Sequence, residues 1–122
     1  ELWKIRNLTE LGWLSKLENI QLIKLGALKA DSLPSFENLN HLRRVYLELK
    51  NICDISSISG APNIEEVILK NMNNIELESY NVFKNHSSLK AITSGYTSVR
   101  KSSKVQEILR LPEVTFNKFK FY

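Results

Sequence analysis

The apolar residues of this chain fall into a recurring two-part pattern. From Leu42 they follow at Val45 and Leu47, then at Ile52, Ile55, Ile58 and Ala61, and a new series opens at Ile64. Val45 and Leu47 are two apart, which suits a short strand with one face buried. The later residues recur every third position. That period fits a 3₁₀-like return segment and is too tight for a long α-helix. Strand, turn and return together make one unit of 22 residues, 42–63.

The same unit aligns along the chain with anchors at Leu17, Leu42, Ile64, Leu89 and Leu111, at spacings of 25, 22, 25 and 22 residues. Residues 1–16, with Leu2, Ile5, Leu8, Leu11 and Leu14 three apart, are expected to be the return segment of a truncated unit or a cap. Trp3 and Trp13 are expected to pack at that exposed end. Residues 17–41 open with Leu17, Ile20 and Leu22, and return through Leu28, Leu33 and Phe36 around Pro34, which blocks a regular helix. Residues 42–63 are the central unit. In residues 64–88, Val67 and Leu69 follow Ile64, and Ile75, Leu77, Val82 and Phe83 are expected in the return core. Asn71, Asn73 and Asn74 crowd the turn between them, each able to take an αL conformation. Residues 89–110 hold Ile92, a polar Ser94 and a short helix expected to start near Ser103, Gln106 and Glu107. Residues 111–122 hold the last strand, Leu111, Val114 and Phe116, then an edge in which Lys118 and Lys120 alternate with Phe119 and Phe121.

The string Leu42, Val45, Leu47, followed by a turn at Asn51, resembles a leucine-rich repeat. Its period is similar to the short class found in phosphatase-regulatory solenoids and bacterial internalins. Asn51 stands one place later than in that class, because Leu49 and Lys50 precede it. The segment YNVFKNHSSLKAI, residues 80–92, is similar to the return of irregular bacterial leucine-rich repeats. The resemblance covers residues 14–117. It implies an α/β fold: a single-domain, right-handed leucine-rich repeat solenoid of about five coils, with a short parallel sheet on the concave face and an irregular or 3₁₀ convex side. By fold analogy it also implies a non-enzymatic protein–protein interaction module: a scaffold, effector, adhesin or immunity-type domain.

On that reading, residues between the buried strand positions face the concave surface. One column is Asn19, Arg44, Glu66, Ala91 and Glu113, and the next is Gln21, Tyr46, Ile68, Thr93 and Thr115. Ile23, Glu48, Lys70, Gly95 and Asn117 form a third. Tyr46 and Ile68 are adjacent and expected to face solvent inside a rim of Arg44, Glu48, Glu66 and Lys70. Such a pair suits recognition of a protein partner; the alternative is cross-strand pairing that only stabilises the sheet. The candidate partner-binding residues are Asn19, Gln21, Arg44, Tyr46, Glu48, Glu66, Ile68, Lys70 and Thr93.

Charge changes this picture little. Seventeen Lys and Arg against thirteen Asp and Glu give +4, spread along the whole chain as a solvated surface. The cluster Arg100, Lys101 and Lys104 beside Tyr96 keeps one alternative open, contact with an anionic surface or nucleic acid. A structural spacer within a larger protein is another. No apolar run approaches the ~20 residues that cross a bilayer, so no membrane insertion is expected. A chain beginning at Glu1 is expected to be a fragment or a processed form, and its Asn-, Lys- and Ile-rich composition is compatible with an AT-rich microbial source. Cys53 is the only cysteine; it is expected to be part-buried, and weakly favours a reducing, cytoplasmic compartment. His41 and His86, 45 residues apart, are expected to be structural or solvated on one edge. Glu65 and Glu66 point to opposite sides of a strand, and four isolated glycines form no phosphate loop. No catalytic, metal or cofactor site is expected.

Overall fold

Strands form where the two-residue alternation is tightest. In the computed structural model, which describes residues 10–26, 29–115 and 119–121 together with the backbone of residues 2 and 3, they are β1 (Leu2–Trp3), β2 (Leu22–Gly26), β3 (Arg44–Glu48), β4 (Glu66–Leu69) and β5 (Ala91–Thr93). They make a five-stranded parallel sheet in chain order, so the protein is mixed α/β. Ile23, Val45, Val67 and Ile92 stand in one row across the sheet and Leu25, Leu47 and Leu69 in the next. The offset is 22 residues from β2 to β3 and from β3 to β4, and 25 from β4 to β5. Each crossover is long enough to bring a parallel strand back alongside its predecessor. The ladder begins before the strands do. The N–H groups of Arg43 and Arg44 both donate to the Gln21 carbonyl, those of Glu65 and Glu66 to Arg43, and those of Lys90 and Ala91 to Glu65.

This register corrects the alignment of the first unit. Ile20, Ile23 and Leu25 match Leu42, Val45 and Leu47, a shift of three from the expected Leu17, Ile20 and Leu22. The stretch Leu22-Ile23-Lys24-Leu25 offers apolar residues in both parities, and a strand can bury only one set. The parity that wins buries Ile23 and Leu25 and leaves Leu22 half-buried on the other face. Leu17, the expected anchor, is exposed at the end of a 3₁₀ helix over Gly12–Lys16. Part of residues 1–16 is also strand rather than return, since Leu2 pairs with Leu25. Ile5 and Leu8 lie outside the described residues.

The return segments follow the three-residue rhythm. Ile52, Ile55, Ile58 and Ala61 are all buried, with one helical turn, α1, at Ser56–Ser59. Cys53 is exposed, not part-buried, because it falls between the inward positions Ile52 and Ile55. In the next return a 3₁₀ helix, Leu77–Phe83, turns Tyr80 and Phe83 into the core. Tyr80 thus takes the place expected of Val82, which is exposed; three residues per turn carry 77, 80 and 83 to one face. In the first return Ala30 joins Phe36 in the core, with Leu33 packed against it; Leu28 lies outside the described residues. Among the turn asparagines, Asn71 takes the αL conformation, φ 52°.

Helix α2, Val99–Leu109, closes the far edge. It starts at Ser98, whose hydroxyl accepts the Lys101 N–H, earlier than the expected Ser103, and ends at Arg110 in αL. The expected last strand does not join the sheet: residues 111–115 have no regular structure, and Phe116 lies outside the described residues. Among the described residues, one backbone bond reaches past β5, from the Ile92 N–H to the Pro112 carbonyl at 3.0 Å, and side chains supply the others. Gln106 Nε2 donates to the Ile92 carbonyl at 2.8 Å, and the Val114 N–H donates to Thr93 Oγ1 at 3.0 Å. Val114 is nevertheless buried. Among the described residues, no helix is long and apolar enough to cross a membrane.

Candidate outer-sheet interface

Strand alternation divides the sheet into a core face and an outer face. Pairing sets Leu22, Arg44, Glu66 and Ala91 in one outer row and Lys24, Tyr46, Ile68 and Thr93 in the next, with Glu48 beside Gly26 in a third. Six of the candidate residues therefore share a face: Arg44, Tyr46, Glu48, Glu66, Ile68 and Thr93. Lys70 follows β4 directly and is exposed. Asn19 and Gln21 do not join them. The three-residue shift in the first unit puts Leu22 and Lys24 where they were expected, and sends Ile23 into the core. Asn19 is exposed in the preceding turn, and Gln21 sits where β2 begins, its side-chain oxygen accepting from Arg43 Nη1 at 3.3 Å. Matching Ile20-Ile23-Leu25 to Leu42-Val45-Leu47 is the signal that identifies Leu22 and Lys24. Gly95, of the third column, is buried, while Glu113 and Thr115, of the first and second, are exposed beyond β5.

Several charged groups on this face have partners close by. Arg44 Nη2 meets Glu66 Oε2 at 2.9 Å, Asn71 Nδ2 donates to Glu48 Oε1 at 2.6 Å, and Lys24 Nζ lies 5.4 Å from the centre of the Tyr46 ring. Two side chains depart from expectation. Ile68 is only 2% exposed and Arg44 only 8%, although both were expected to face solvent.

For Arg44, part of the reason is the C-terminal segment. Residues 119–121 form no edge strand; they lie against the start of β3. The Phe119 ring centre is 4.7 Å from the Arg43 guanidinium carbon and 5.2 Å from that of Arg44. Arg43 Nη1 donates to the Lys120 carbonyl at 2.7 Å, and Phe121 stands edge-on to Phe119 with centroids 4.8 Å apart. The sequence contains no signal for this contact, because alternation of Phe and Lys reads equally as an edge strand.

The edge where the strands begin is polar. Arg43 Nε and Lys90 Nζ grip opposite oxygens of Glu65 at 3.0 and 2.8 Å. The bond from Lys90, helped by Arg43 and opposed by desolvation, holds the Glu65 carboxyl below its ordinary value. With Asn40, His41, Asn63 and Ser88, these residues line an open cleft of about 670 Å³. Asn63 Nδ2 donates to the Asn40 carbonyl, and Ser88 Oγ lies within hydrogen-bonding distance of the Ile64 carbonyl, tying successive units together. The two histidines are not equivalent. His41 is exposed along the cleft, whereas His86 Nε2 sits 3.1 Å from the Ser59 carbonyl and its Nδ1 accepts the Ser88 N–H.

Arg100, Lys101 and Lys104 are exposed on α2, but Tyr96 beside them is only 8% exposed. Its hydroxyl donates to the Ile75 carbonyl, and Lys101 Nζ lies 5.3 Å from its ring centre. No open aromatic face remains there for stacking a base. Burial, then Glu76 and Glu78, pushes the Tyr96 hydroxyl up. Burial also pushes up Tyr80, whose oxygen accepts the Gly95 N–H. Among the described residues, no three His, Cys, Asp or Glu side chains are placed to hold a metal ion.

No protein-family model, no curated protein and no solved structure matches this chain.

Proposed function

We propose that this chain is a right-handed leucine-rich repeat solenoid whose outer sheet face is concave, and that it acts as a non-enzymatic module binding a protein partner on that face. The repeated 22-residue register, the buried rows Ile23-Val45-Val67-Ile92 and Leu25-Leu47-Leu69, and the three-residue returns support the solenoid. Right-handedness follows from the general preference of parallel crossovers. One observation carries the function. Register sets Lys24, Tyr46, Ile68 and Thr93 side by side across four strands on the face opposite the core. Tyr46, half-buried and flanked by the Arg44–Glu66 ion pair and by Glu48, offers the aromatic-and-charged mixture found at protein interfaces, while Ile68, 2% exposed, adds no open surface.

The test is capture of a protein partner by the intact chain beside a Tyr46→Arg variant, with Val82→Arg, on a return segment, as control. Loss of the partner with Tyr46→Arg alone supports the outer face.

A further inference from the structure

We propose that the Arg43–Arg44 end of the outer sheet face is a peptide-binding site held in cis by Phe119–Phe121, and that its partner is an extended protein segment presenting an aromatic ring followed by a backbone carbonyl. This deepens the protein-binding reading above and rests on it.

Among the described residues, three contacts define the site. The Phe119 ring meets two guanidinium groups, from Arg43 and Arg44, at 4.7 and 5.2 Å. A planar guanidinium over an aromatic face is attracted by the ring's quadrupole, more so once desolvated, and Arg44 is only 8% exposed. One residue on, the Lys120 carbonyl accepts from Arg43 Nη1 at 2.7 Å, so the segment is held by its backbone as well as by its ring. Glu65 and Glu66 fix the two arginines from the next strand, at 3.0 and 2.9 Å, so that the guanidinium planes are set before any ligand arrives. None of these contacts needs the segment to belong to this chain. The ring and the carbonyl that follows it are features that any aromatic-bearing extended segment supplies. Phe121 itself remains 65% exposed, so the segment is seated by one ring and released without uncovering a second.

A segment tethered to its own site acts at an effective concentration on the order of millimolar. It therefore competes with an outside peptide and gates the face. The probe is a dye-labelled hexapeptide, NKFKFY, copying residues 117–122, titrated by fluorescence anisotropy into the full chain and into the full-length Phe119→Ala variant. The proposal expects saturable binding to Phe119→Ala that is about tenfold or more tighter than to the unaltered chain. A peptide with Ala at its first Phe should not bind. Arg43→Lys in the Phe119→Ala background keeps the charge, loses the planar donor and should weaken binding. If circular dichroism shows Phe119→Ala unfolded, Phe119→Leu, which keeps apolar bulk but removes the ring face that the two guanidinium groups hold, takes its place. No saturable binding to the folded variant, or equal binding to both chains, overturns the proposal. The outcome is separable from the protein-binding reading, because a partner still lost with Tyr46→Arg would leave that reading standing while the occupied site fell.

Discussion

The Arg44 guanidinium carbon lies 5.2 Å from the centre of the Phe119 ring, joining the first residue of β3 to the C-terminal segment on one side of the sheet. With Arg43 on the same ring at 4.7 Å, the contact should contribute measurably to stability. Cation–π pairs of this kind are worth about 0.5–2 kcal/mol, according to how far they are desolvated. Phe119→Ala is therefore expected to lower the urea unfolding free energy by about 1–2 kcal/mol. Val99→Ala, at a side chain 81% exposed, should stay within ~0.5 kcal/mol.

Val67 and Val82 separate core from surface within one unit. Val67 is fully buried in the central row, whereas Val82 is 39% exposed. Val67→Ala is expected to cost about 1–3 kcal/mol, since it removes two methyl groups from a packed interior and leaves a cavity. Val82→Ala should cost less than ~0.5 kcal/mol by the same measurement. Equal losses would mean that the return segment packs differently from the 3₁₀ arrangement described.

Gly95 is required by close packing. A Cβ there would sit 2.7 Å from Met72 Cβ and 3.1 Å from the Met72 carbonyl oxygen, and Met72 N–H already donates to the Gly95 carbonyl. Gly95→Ala is expected to destabilise by about 1–3 kcal/mol, as overpacking does. Met72→Ala should not rescue it, because the clash is with atoms that alanine keeps. Gly12→Ala, which meets nothing within 4 Å, is the control.

These contrasts show what the pattern of residues could and could not reveal. Val45 and Leu47 were legible because Arg44, Tyr46 and Glu48 flank them, and Val67, Leu69 and Ile92 because they stand at the same places in the following units. β2 was ambiguous because Leu22, Ile23 and Leu25 are apolar in both parities, and choosing the wrong one put Asn19 and Gln21 where Leu22 and Lys24 stand. Tyr80 was not among the expected return-core residues, and the Gly95 N–H that satisfies its buried hydroxyl lies in the next unit. The tail contact was invisible for a different reason. It joins residues far apart in sequence that share no period.

Glu65 links the edge network to pH. Its carboxyl is held below the ordinary value of 4.5, first by Lys90 and then by Arg43 against desolvation. A depressed carboxylate contributes stability that is present above the unfolded value and lost as pH falls through the folded one. Unfolding free energy of the unaltered chain should therefore fall on acidification below about pH 4.5 more steeply than that of Glu65→Gln, with the two curves differing most at higher pH. Parallel curves would remove Glu65 as a source of acid sensitivity.

Binding of a protein by the outer sheet face is the central claim. Its most direct measurement is quantitative capture from a cell lysate by the unaltered chain, Tyr46→Arg and Val82→Arg, each first shown to be folded by circular dichroism. A partner held by the unaltered chain and by Val82→Arg, and reduced about tenfold or more by Tyr46→Arg, is the predicted result, as loss of a central aromatic contact requires. Equal capture by all three chains would contradict it.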